Sequence, residues 1–240
     1  MKKDIVYAAP LDEIDKFEFD ERVADVFENM INRSVPGYSF ILELIGLVTG
    51  KYAVPQTNCY DLGCSLGAST LMIRRHLPAS CRVFGVDNSV AMVERCRANI
   101  ARDHSEAGCK IIEARIQEVA IENASIVVMN YTLQFISPAE RLDVLKGVAS
   151  GMVTGGALIL SEKIRFEDVA RQEAMTELHH EFKRYHGYSD LEISQKRAAL
   201  EEVLVPESEA QHISRLRSAG FSSTFVLSRN LNFCTFLAIR

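Results

Sequence analysis

The sequence predicts an α/β fold: a mostly parallel, Rossmann-type sheet with helices on both faces, N-terminal helices, a helical insertion and a C-terminal antiparallel hairpin. Between Asn58 and Ser161, short apolar runs typical of strands alternate with helical patterns, and this alternation indicates a parallel sheet. After Gly220, two further apolar runs flank a short polar segment, which predicts the hairpin.

Residues 1–57 predict a helical extension that precedes the first strand. Asp20 is a typical N-cap for the apolar stripe that runs over residues 20–33. A second helical pattern runs from Ser39 to about Tyr52, after the turn at Pro36-Gly37. Both helices are amphipathic, so each is expected to pack one face on the core.

The alternating region predicts five strands and three helices. The first helix is expected to stop at Pro78, the second to start at the N-cap Ser89, and the third to open with a capping box at Ser137-Pro138-Ala139-Glu140. The turn at Gly155-Gly156 should lead into the last strand. The predicted strands are 58–62, 82–86, 110–116, 124–130 and 157–161.

A helical insertion over residues 166–206 interrupts the alternation. It contains two helical patterns, separated at Gly187-Tyr188, and Ser189 and Glu192 form a capping box for the second. A further helix is predicted over 208–219, followed by strands 221–227 and 231–239 around a turn at 228–230. We therefore expect one domain over 1–240, with an α/β core formed by 58–165 and 207–240.

The composition favours a soluble protein that binds a small ligand. Of the 240 residues 48% are hydrophobic and 25% charged, and the formal net charge is −5, which argues against a broad nucleic-acid surface. The six cysteines include no Cys-x-x-Cys pair. Because no signal-peptide core or membrane-spanning run is evident, we expect a cytoplasmic protein without a membrane partner.

The loop after the first strand predicts a nucleoside-cofactor site. Gly63 and Gly67 bracket a turn, and Ser69 opens a helix whose free N–H groups point into it. The spacing nearly fits the dinucleotide fingerprint, but Ser65 replaces the glycine that admits a pyrophosphate. S-adenosylmethionine (SAM) has no phosphate, and its amine and sulfonium suit the acidic Asp61. A tight turn without ligand is the alternative.

Polar residues at four strand ends should meet in one crevice at the carboxyl edge of the sheet. Asp87 can accept hydrogen bonds from both ribose hydroxyls, and Arg115-Ile116 should line the adenine edge. Asn130 is expected near the amino-acid moiety or the reacting carbon, although it fits a strand-ending turn equally well.

The insertion supplies a guanidinium that could bind a carboxylate. Arg197 has the planar fork for this, but its spacing alone favours a solvated arginine paired with Glu201 on the same helix face. His179 and His180 are adjacent on a helix and point about 100° apart, so they do not chelate a metal together. We expect both histidines to face solvent, and no metal site.

Six segments together resemble the carboxy-S-adenosyl-L-methionine synthase family, and the resemblance covers essentially the whole chain. The glycine loop is shared with many methyltransferases, whereas the first and last segments discriminate the family in combination. The segments are Arg33-Ser34-Val35-Pro36-Gly37-Tyr38, Tyr60-Asp61-Leu62-Gly63-Cys64-Ser65-Leu66-Gly67-Ala68, Val86-Asp87-Asn88-Ser89, Asn130-Tyr131-Thr132-Leu133-Gln134-Phe135, Leu160-Ser161-Glu162-Lys163 and Ile193-Ser194-Gln195-Lys196-Arg197.

The resemblance implies a class I methyltransferase-like fold and a transferase activity. Family members convert SAM and prephenate to carboxy-SAM, phenylpyruvate and water, through a sulfonium ylide that captures the carbon dioxide released from prephenate. They are dimers, and they pass carboxy-SAM to a separate enzyme that builds 5-oxyacetyluridine at the tRNA wobble position. The resemblance thus implies a homodimer that does not itself bind nucleic acid.

The resemblance also implies a set of ligand contacts. Arg197 would pair with the new carboxylate, which makes it the implied catalytic residue. Arg115 is a departure, because the family has an aspartate there that can accept from the adenine amino group, whereas a guanidinium cannot. Backbone groups of Arg115 and Ile116 could still serve. The implied contacts are Tyr38, Gly63, Cys64, Ser65, Asp87, Asn88, Asn130 and Arg197.

Two other functions remain open from the residues. The generic glycine loop and Asn130 fit an ordinary small-molecule SAM methyltransferase. A noncatalytic SAM-binding regulator that contacts a partner through the 166–206 insertion is the third hypothesis.

Overall fold

The computed structural model describes residues 2–201 and 203–240, and in this part of the chain one sheet of seven strands forms the centre of the fold. The strands are β1 (Asn58–Leu62), β2 (Arg82–Asp87), β3 (Gly108–Glu113), β4 (Ala124–Asn130), β5 (Met152–Lys163), β6 (Ser223–Asn230) and β7 (Phe233–Ile239). Their order is β3-β2-β1-β4-β5-β7-β6. Strands β1 to β5 pair in parallel, and β7 is antiparallel to both of its neighbours. The predicted fold class is confirmed.

The helices lie close to their predicted positions. Asp20 accepts from the Val23 N–H at 2.9 Å, and the Ser189 capping box with Glu192 is formed. The helices are α1 (Glu21–Ser34), α2 (Tyr38–Tyr52), α3 (Ala68–Arg75), α4 (Val90–Ala101), α5 (Arg141–Gly151), α6 (Val169–Tyr185), α7 (Asp190–Leu200) and α8 (Glu209–Ser218). Helices α6 and α7 fall within 166–206, while the division of 1–240 into a core and an insertion stays a prediction.

The predicted capping box at Ser137–Glu140 is wrong. Residues 137–140 form a turn, closed by the Glu140 N–H on the Ser137 carbonyl at 2.9 Å, and α5 begins only at Arg141. The cause is the fully buried Arg141 side chain, which donates to the carbonyls of Gln134 and Ile136 and thereby fixes the chain before the helix.

The bounds of five strands, β2, β3, β5, β6 and β7, also differ from prediction. Strand β3 ends at Glu113 rather than at 116, because it is an edge strand and its partner β2 ends opposite, at Asp87. Gly155-Gly156 lies inside β5, next to a register irregularity against β4. The hairpin turn lies at Leu231-Asn232 instead of 228–230, since Leu231 takes the positive φ of 55° that a tight hairpin turn requires.

The sheet is covered on both faces, as its continuous apolar strands require. In β4, Val127 and Met129 pack with α5 and α8 in one core cluster. The alternate residues Ile126 and Val128 pack with α2 and α3 in another. With both faces occupied by helices, the carboxyl edge of the parallel strands is the place left for a ligand.

The N-terminal segment is tied to α7 through one side chain. The Gln195 carboxamide accepts from the Leu11 N–H at 2.8 Å and donates to the carbonyls of Tyr7 and Ala9, each at 2.9 Å. Farther along, the Phe17 N–H binds the Ala199 carbonyl at 3.0 Å. These bonds bring Phe17 and the nearby Phe19 to the wall of a cavity at the carboxyl edge of the sheet.

Candidate active site

The cavity opens where the strand order reverses, between β1 and β4. This is the switch point at which open α/β sheets bind ligands. Its wall includes Gly63 and Ser65 after β1, Asp87 and Asn88 at the end of β2, and Asn130 at the end of β4. These five residues, predicted from sequence as cofactor contacts, are therefore brought together.

The loop after β1 has a backbone that only particular residues tolerate. Gly63 has φ of +84°, and a Cβ there would lie 2.2 Å from Thr132 Oγ1, so the glycine is needed for packing as well as for ligand approach. Ser65 and Tyr131 have φ of 48° and 63° and both line the cavity. Unfavourable backbone conformations of this kind concentrate at functional sites.

Asp87 is held by the two loops that flank it. Its Oδ2 accepts from the Ser65 N–H at 2.9 Å, and its Oδ1 accepts from the Ser89 N–H at 3.0 Å. Burial nevertheless raises the pKa of Asp87. A carboxylate has about four acceptor positions, and these bonds use two of them. The remaining positions suit the two hydroxyls of a ribose.

Two acceptors near the glycine loop have no hydrogen-bond donor. Asn130 donates its Nδ2 to Ser69 Oγ at 3.2 Å, while its buried Oδ1 has no partner. Asp61 is fully buried behind the loop, where Thr70 donates to its Oδ2 at 2.6 Å and its Oδ1 has no partner. Burial, reinforced by the charge of Asp87, raises the pKa of Asp61 to about 7. Unpaired acceptors here fit a ligand with an ammonium and a sulfonium, as SAM has.

Arg115 and Ile116 line the cavity beyond the end of β3. Ile116 is buried and opens a short 3₁₀ turn, whereas the Arg115 side chain is exposed. The two residues are close to β2 and therefore to Asp87, as expected for an adenine-binding segment next to a ribose-binding one.

Two predicted contacts lie behind the cavity wall. The Tyr38 ring is buried against Tyr131 and Phe233, both of which line the cavity. The Cys64 side chain packs beside Cys96, and this thiol neighbour, together with burial, raises the pKa of Cys64. Neither Tyr38 nor Cys64 lines the cavity in a single chain, so their assignment as ligand contacts stays a prediction.

Arg197 does not line the cavity of its own chain either. Its side chain is exposed on α7, and it forms no ion pair with Glu201 or any other carboxylate in residues 2–201 and 203–240. The predicted Arg197–Glu201 pair is therefore absent. Burial lowers the pKa values of Lys163 and Lys183, and the positive charge of the Arg197 guanidinium contributes to both shifts.

The other end of the cavity is basic, which the sequence did not indicate. Lys163, Lys183 and Lys196 all line it, with His179 beside them. His179 is buried rather than solvent-facing, so that prediction is wrong. Its Nε2 lies 2.8 Å from the Ser34 carbonyl, and burial lowers its pKa to about 2.

A signal for this basic end is visible in retrospect. His179 and Lys183 are four residues apart on one face of α6, and Lys196 shares a face of α7 with the buried Ile193. A lysine is rarely found on the buried face of a helix, because burying an ammonium group is costly. Lysines at such positions therefore indicate a candidate functional site.

The order of the strands and the cavity at the switch point give the chain the fold of class I SAM-dependent methyltransferases. Residues 60–156 match the methyltransferase domain family. Two solved structures are similar in fold: an O-methyltransferase family protein from Burkholderia thailandensis, with 17% identity and a TM-score of 0.64, and human N-acetylserotonin methyltransferase in complex with SAM, with 14% and 0.61. Each comparison covers 92% of this chain but 60% and 55%, respectively, of the other chain.

Closer relatives narrow the class to one family. The carboxy-S-adenosyl-L-methionine synthase of Hahella chejuensis is 54% identical, over 99% of this chain and 98% of the relative. That of Geobacter sp. (strain M21) is 53% identical, over 100% and 99%. The chain thus belongs to the carboxy-S-adenosyl-L-methionine synthase family; it is a transferase, and SAM is its substrate.

The described residues contain neither a cluster of metal ligands nor a helix that could span a membrane. No three His, Cys, Asp or Glu side chains there come together as a metal ion would require. None of the helices in residues 2–201 and 203–240 combines the length and apolar character needed to cross a membrane.

Proposed function

We propose that this enzyme converts SAM and prephenate to carboxy-SAM, phenylpyruvate and water. The observation that carries the proposal is the arrangement of polar groups in one cavity: the Asp87 carboxylate and the unpaired Asn130 Oδ1 lie at one end, and lysine ammonium groups lie at the opposite wall. A sulfonium cation and a dicarboxylate fit this arrangement side by side. An ordinary methyl transfer to a neutral acceptor gives no reason for the basic wall.

The proposed reaction balances without a further reactant. Prephenate loses its ring carboxylate as carbon dioxide and its ring hydroxyl as hydroxide, which leaves phenylpyruvate. The hydroxide takes a proton from the sulfonium methyl group and becomes water, and the resulting carbanion forms a carbon–carbon bond to the carbon dioxide. Exclusion of bulk water by the aromatic wall of Phe17 and Phe19 would protect both transient species.

The residues carry the following proposed roles. Asp87 binds the ribose hydroxyls, the segment Arg115-Ile116 binds adenine through its backbone, and Gly63 and Ser65 seat the methionine part. Asn130, with its free Oδ1, binds the amino-acid ammonium or orients the reacting carbon. Tyr38, Cys64 and Asn88 complete the proposed contact set.

Arg197 is proposed to pair with the carboxylate added to SAM. Its exposure outside the cavity of its own chain favours a homodimer in which a second copy lies against α7 and completes the site. A planar guanidinium fixes a carboxylate through two parallel hydrogen bonds, so this contact would favour the carboxylated product over SAM itself.

The product is proposed to pass to a separate enzyme that modifies the wobble uridine of tRNA to 5-oxyacetyluridine, in the cytoplasm. The net charge of −5 supports this division of labour, because direct tRNA binding rests on many Lys and Arg contacts to phosphates.

Mass spectrometry of a turnover mixture tests the proposal. Purified protein with SAM and prephenate should yield carboxy-SAM and phenylpyruvate in equal amounts, and omission of prephenate should abolish both. S-adenosylhomocysteine as the product would instead identify an ordinary methyltransferase. SAM that is bound but unconsumed with prephenate present would indicate a regulator.

A further inference from the structure

The basic wall is assembled from three separate elements. Lys163 is the last residue of β5, Lys183 lies on α6 and Lys196 lies on α7. Strand β5 is three strand spacings from β2, which places the Lys163 backbone roughly 14 Å from that of Asp87 at about 4.8 Å per spacing. The basic wall is therefore distinct from the ribose end of the cavity.

Two of the three ammonium groups have no counter-charge. Lys196 donates to Ser34 Oγ at 3.1 Å and lies 3.8 Å from Asp4. In contrast, neither the Lys163 nor the Lys183 ammonium group has a hydrogen bond or ion pair with any residue in 2–201 or 203–240. Lys183 is only 9% exposed, and a buried cation without a partner is unfavourable.

Neighbouring groups do not neutralise these lysines. Glu162 precedes Lys163 on β5, where successive side chains point to opposite faces of the sheet, and burial raises the pKa of Glu162 to about 8. His179 carries no negative charge, and the Arg197 guanidinium adds a further positive one. Within residues 2–201 and 203–240 no carboxylate pairs with either ammonium group, which leaves both groups available to an anionic ligand.

Deprotonation of the Lys183 ammonium group is the alternative to pairing with an anion, because it removes the cost of the buried charge. Burial, with the charges of Lys196 and Lys163, lowers the pKa of Lys183 to about 7. Half of the molecules would then still carry the charge near neutral pH, and a bound carboxylate would favour the charged form further. The lysine therefore stays available to an anion.

We propose that Lys163 and Lys183 bind the oxoacid carboxylate of prephenate, the one that remains in phenylpyruvate. The proposal rests on the proposed function, and the chemistry decides between the two carboxylates. An ion pair to the carboxylate that leaves as carbon dioxide would stabilise the ground state more than the transition state and slow the reaction. An ion pair to the retained carboxylate anchors the substrate without this cost.

Lys183→Met and Lys163→Met test the proposal, because methionine keeps much of the side-chain length and removes the charge. Lys51→Met, at an exposed lysine of α2, is the matched control. We expect KM for prephenate and the inhibition constant of phenylpyruvate each to rise at least about tenfold. The Kd for SAM should stay unchanged, and Lys183→Arg should restore much of the affinity. Thermal melts identify a variant that fails to fold, in which case the other lysine variant decides.

The inhibition constant of phenylpyruvate separates the outcomes, since this product keeps only the retained carboxylate. A higher KM for prephenate with unchanged phenylpyruvate inhibition would overturn the assignment to that carboxylate. Unchanged values for both would overturn the subsite altogether. Should the wild-type protein form no carboxy-SAM, the proposed function fails, and calorimetric titration of phenylpyruvate into the SAM-loaded protein and its variants still decides whether the lysines bind an oxoacid.

Discussion

The two ends of the cavity differ in how their charges are balanced. At the ribose end, Asp87 accepts two backbone N–H groups from its own flanking loops. At the basic end, the Lys163 and Lys183 ammonium groups have no partner among the described residues. The first end is organised by the protein's own hydrogen bonds, whereas the second is proposed to be completed by an anion. The end proposed to bind SAM is therefore preorganised by the protein itself. At the other end, the proposed substrate prephenate would supply the negative charge that balances the lysines.

The largest effect should come from the ribose end. Asp87→Ala removes the acceptor for two ribose hydroxyls and also frees the Ser65 and Ser89 N–H groups. We expect the Kd for SAM to rise about a hundredfold, since hydrogen bonds to a charged group contribute about 1.5 to 3 kcal/mol each. Calorimetric titration with SAM measures this. Asp87→Asn is the control: it retains one acceptor oxygen and should lose less affinity. Equal affinity of wild type and Asp87→Ala would remove Asp87 from the site.

Arg197 tests whether a guanidinium that lies outside the cavity of its own chain pairs with the product. Arg197→Ala should reduce carboxylation at least about tenfold, because a charge-assisted hydrogen bond to the new carboxylate is lost. The Kd for SAM, which lacks that carboxylate, should not change. Product formation is followed by mass spectrometry, and Arg217→Ala, on the surface of α8, serves as the control. Undiminished product formation by Arg197→Ala would show that the proposed pairing is wrong.

The pH dependence of prephenate binding tests whether the charge of Lys183 at the basic end of the cavity contributes to the affinity for prephenate. Because the pKa of Lys183 is lowered to about 7, the lysine loses its charge as the pH rises through 7, and its affinity for an anion falls. We expect KM for prephenate to rise about fivefold between pH 7 and pH 8.5. The charged and titratable groups around Lys183 are Lys163 on β5, Lys196 and Arg197 on α7, and His179 and His180 on α6.

The control for the pH effect is Lys183→Met, whose KM should be high and should change less over this range. The change that remains would come from Lys196, whose pKa is lowered to about 8 by burial. His179 does not contribute, because its pKa of about 2 keeps it neutral throughout. A wild-type KM that falls as the pH rises would contradict the assignment of the titrating group.

The smallest effect is expected at the adenine segment. Arg115→Asp introduces a carboxylate that can accept from the adenine amino group, and it should lower the Kd for SAM by about threefold. The gain is modest because the side chain at this position is exposed. Competition between SAM and a fluorescent SAM analogue would measure it, with Arg115→Ala as the reference. A weaker affinity of Arg115→Asp than of Arg115→Ala would exclude the side chain from adenine binding.

The sequence allowed prediction of the sheet and of the ribose end because both depend on short-range patterns. Strands β1 and β4 match their predicted bounds, and the Asp20, Ser89 and Ser189 caps form as expected. The glycine loop and Asp87 are separated by one helix and one strand, so a rule on strand ends was sufficient to bring them together.

The remaining features depend on contacts between distant residues, which local patterns do not record. The start of α5 is set by buried Arg141, through bonds to carbonyls and to Glu207 in a different part of the chain. The basic wall joins residues 163, 183 and 196, and it becomes visible only when α6 and α7 pack over the sheet edge. Arg197 is a further example, because the local motif that contains it does not predict that its side chain is exposed outside the cavity of its own chain.

The link from Gln195 to the N-terminal segment has a consequence for sequence divergence. All three of its bonds go to main-chain groups of Tyr7, Ala9 and Leu11, so the side chains at those positions are free to vary without loosening the attachment. Position 195 has no such freedom, because only a carboxamide of that length both donates and accepts there. We therefore expect that substitutions of the side chains at positions 7, 9 and 11 are tolerated, whereas substitutions of Gln195 are not.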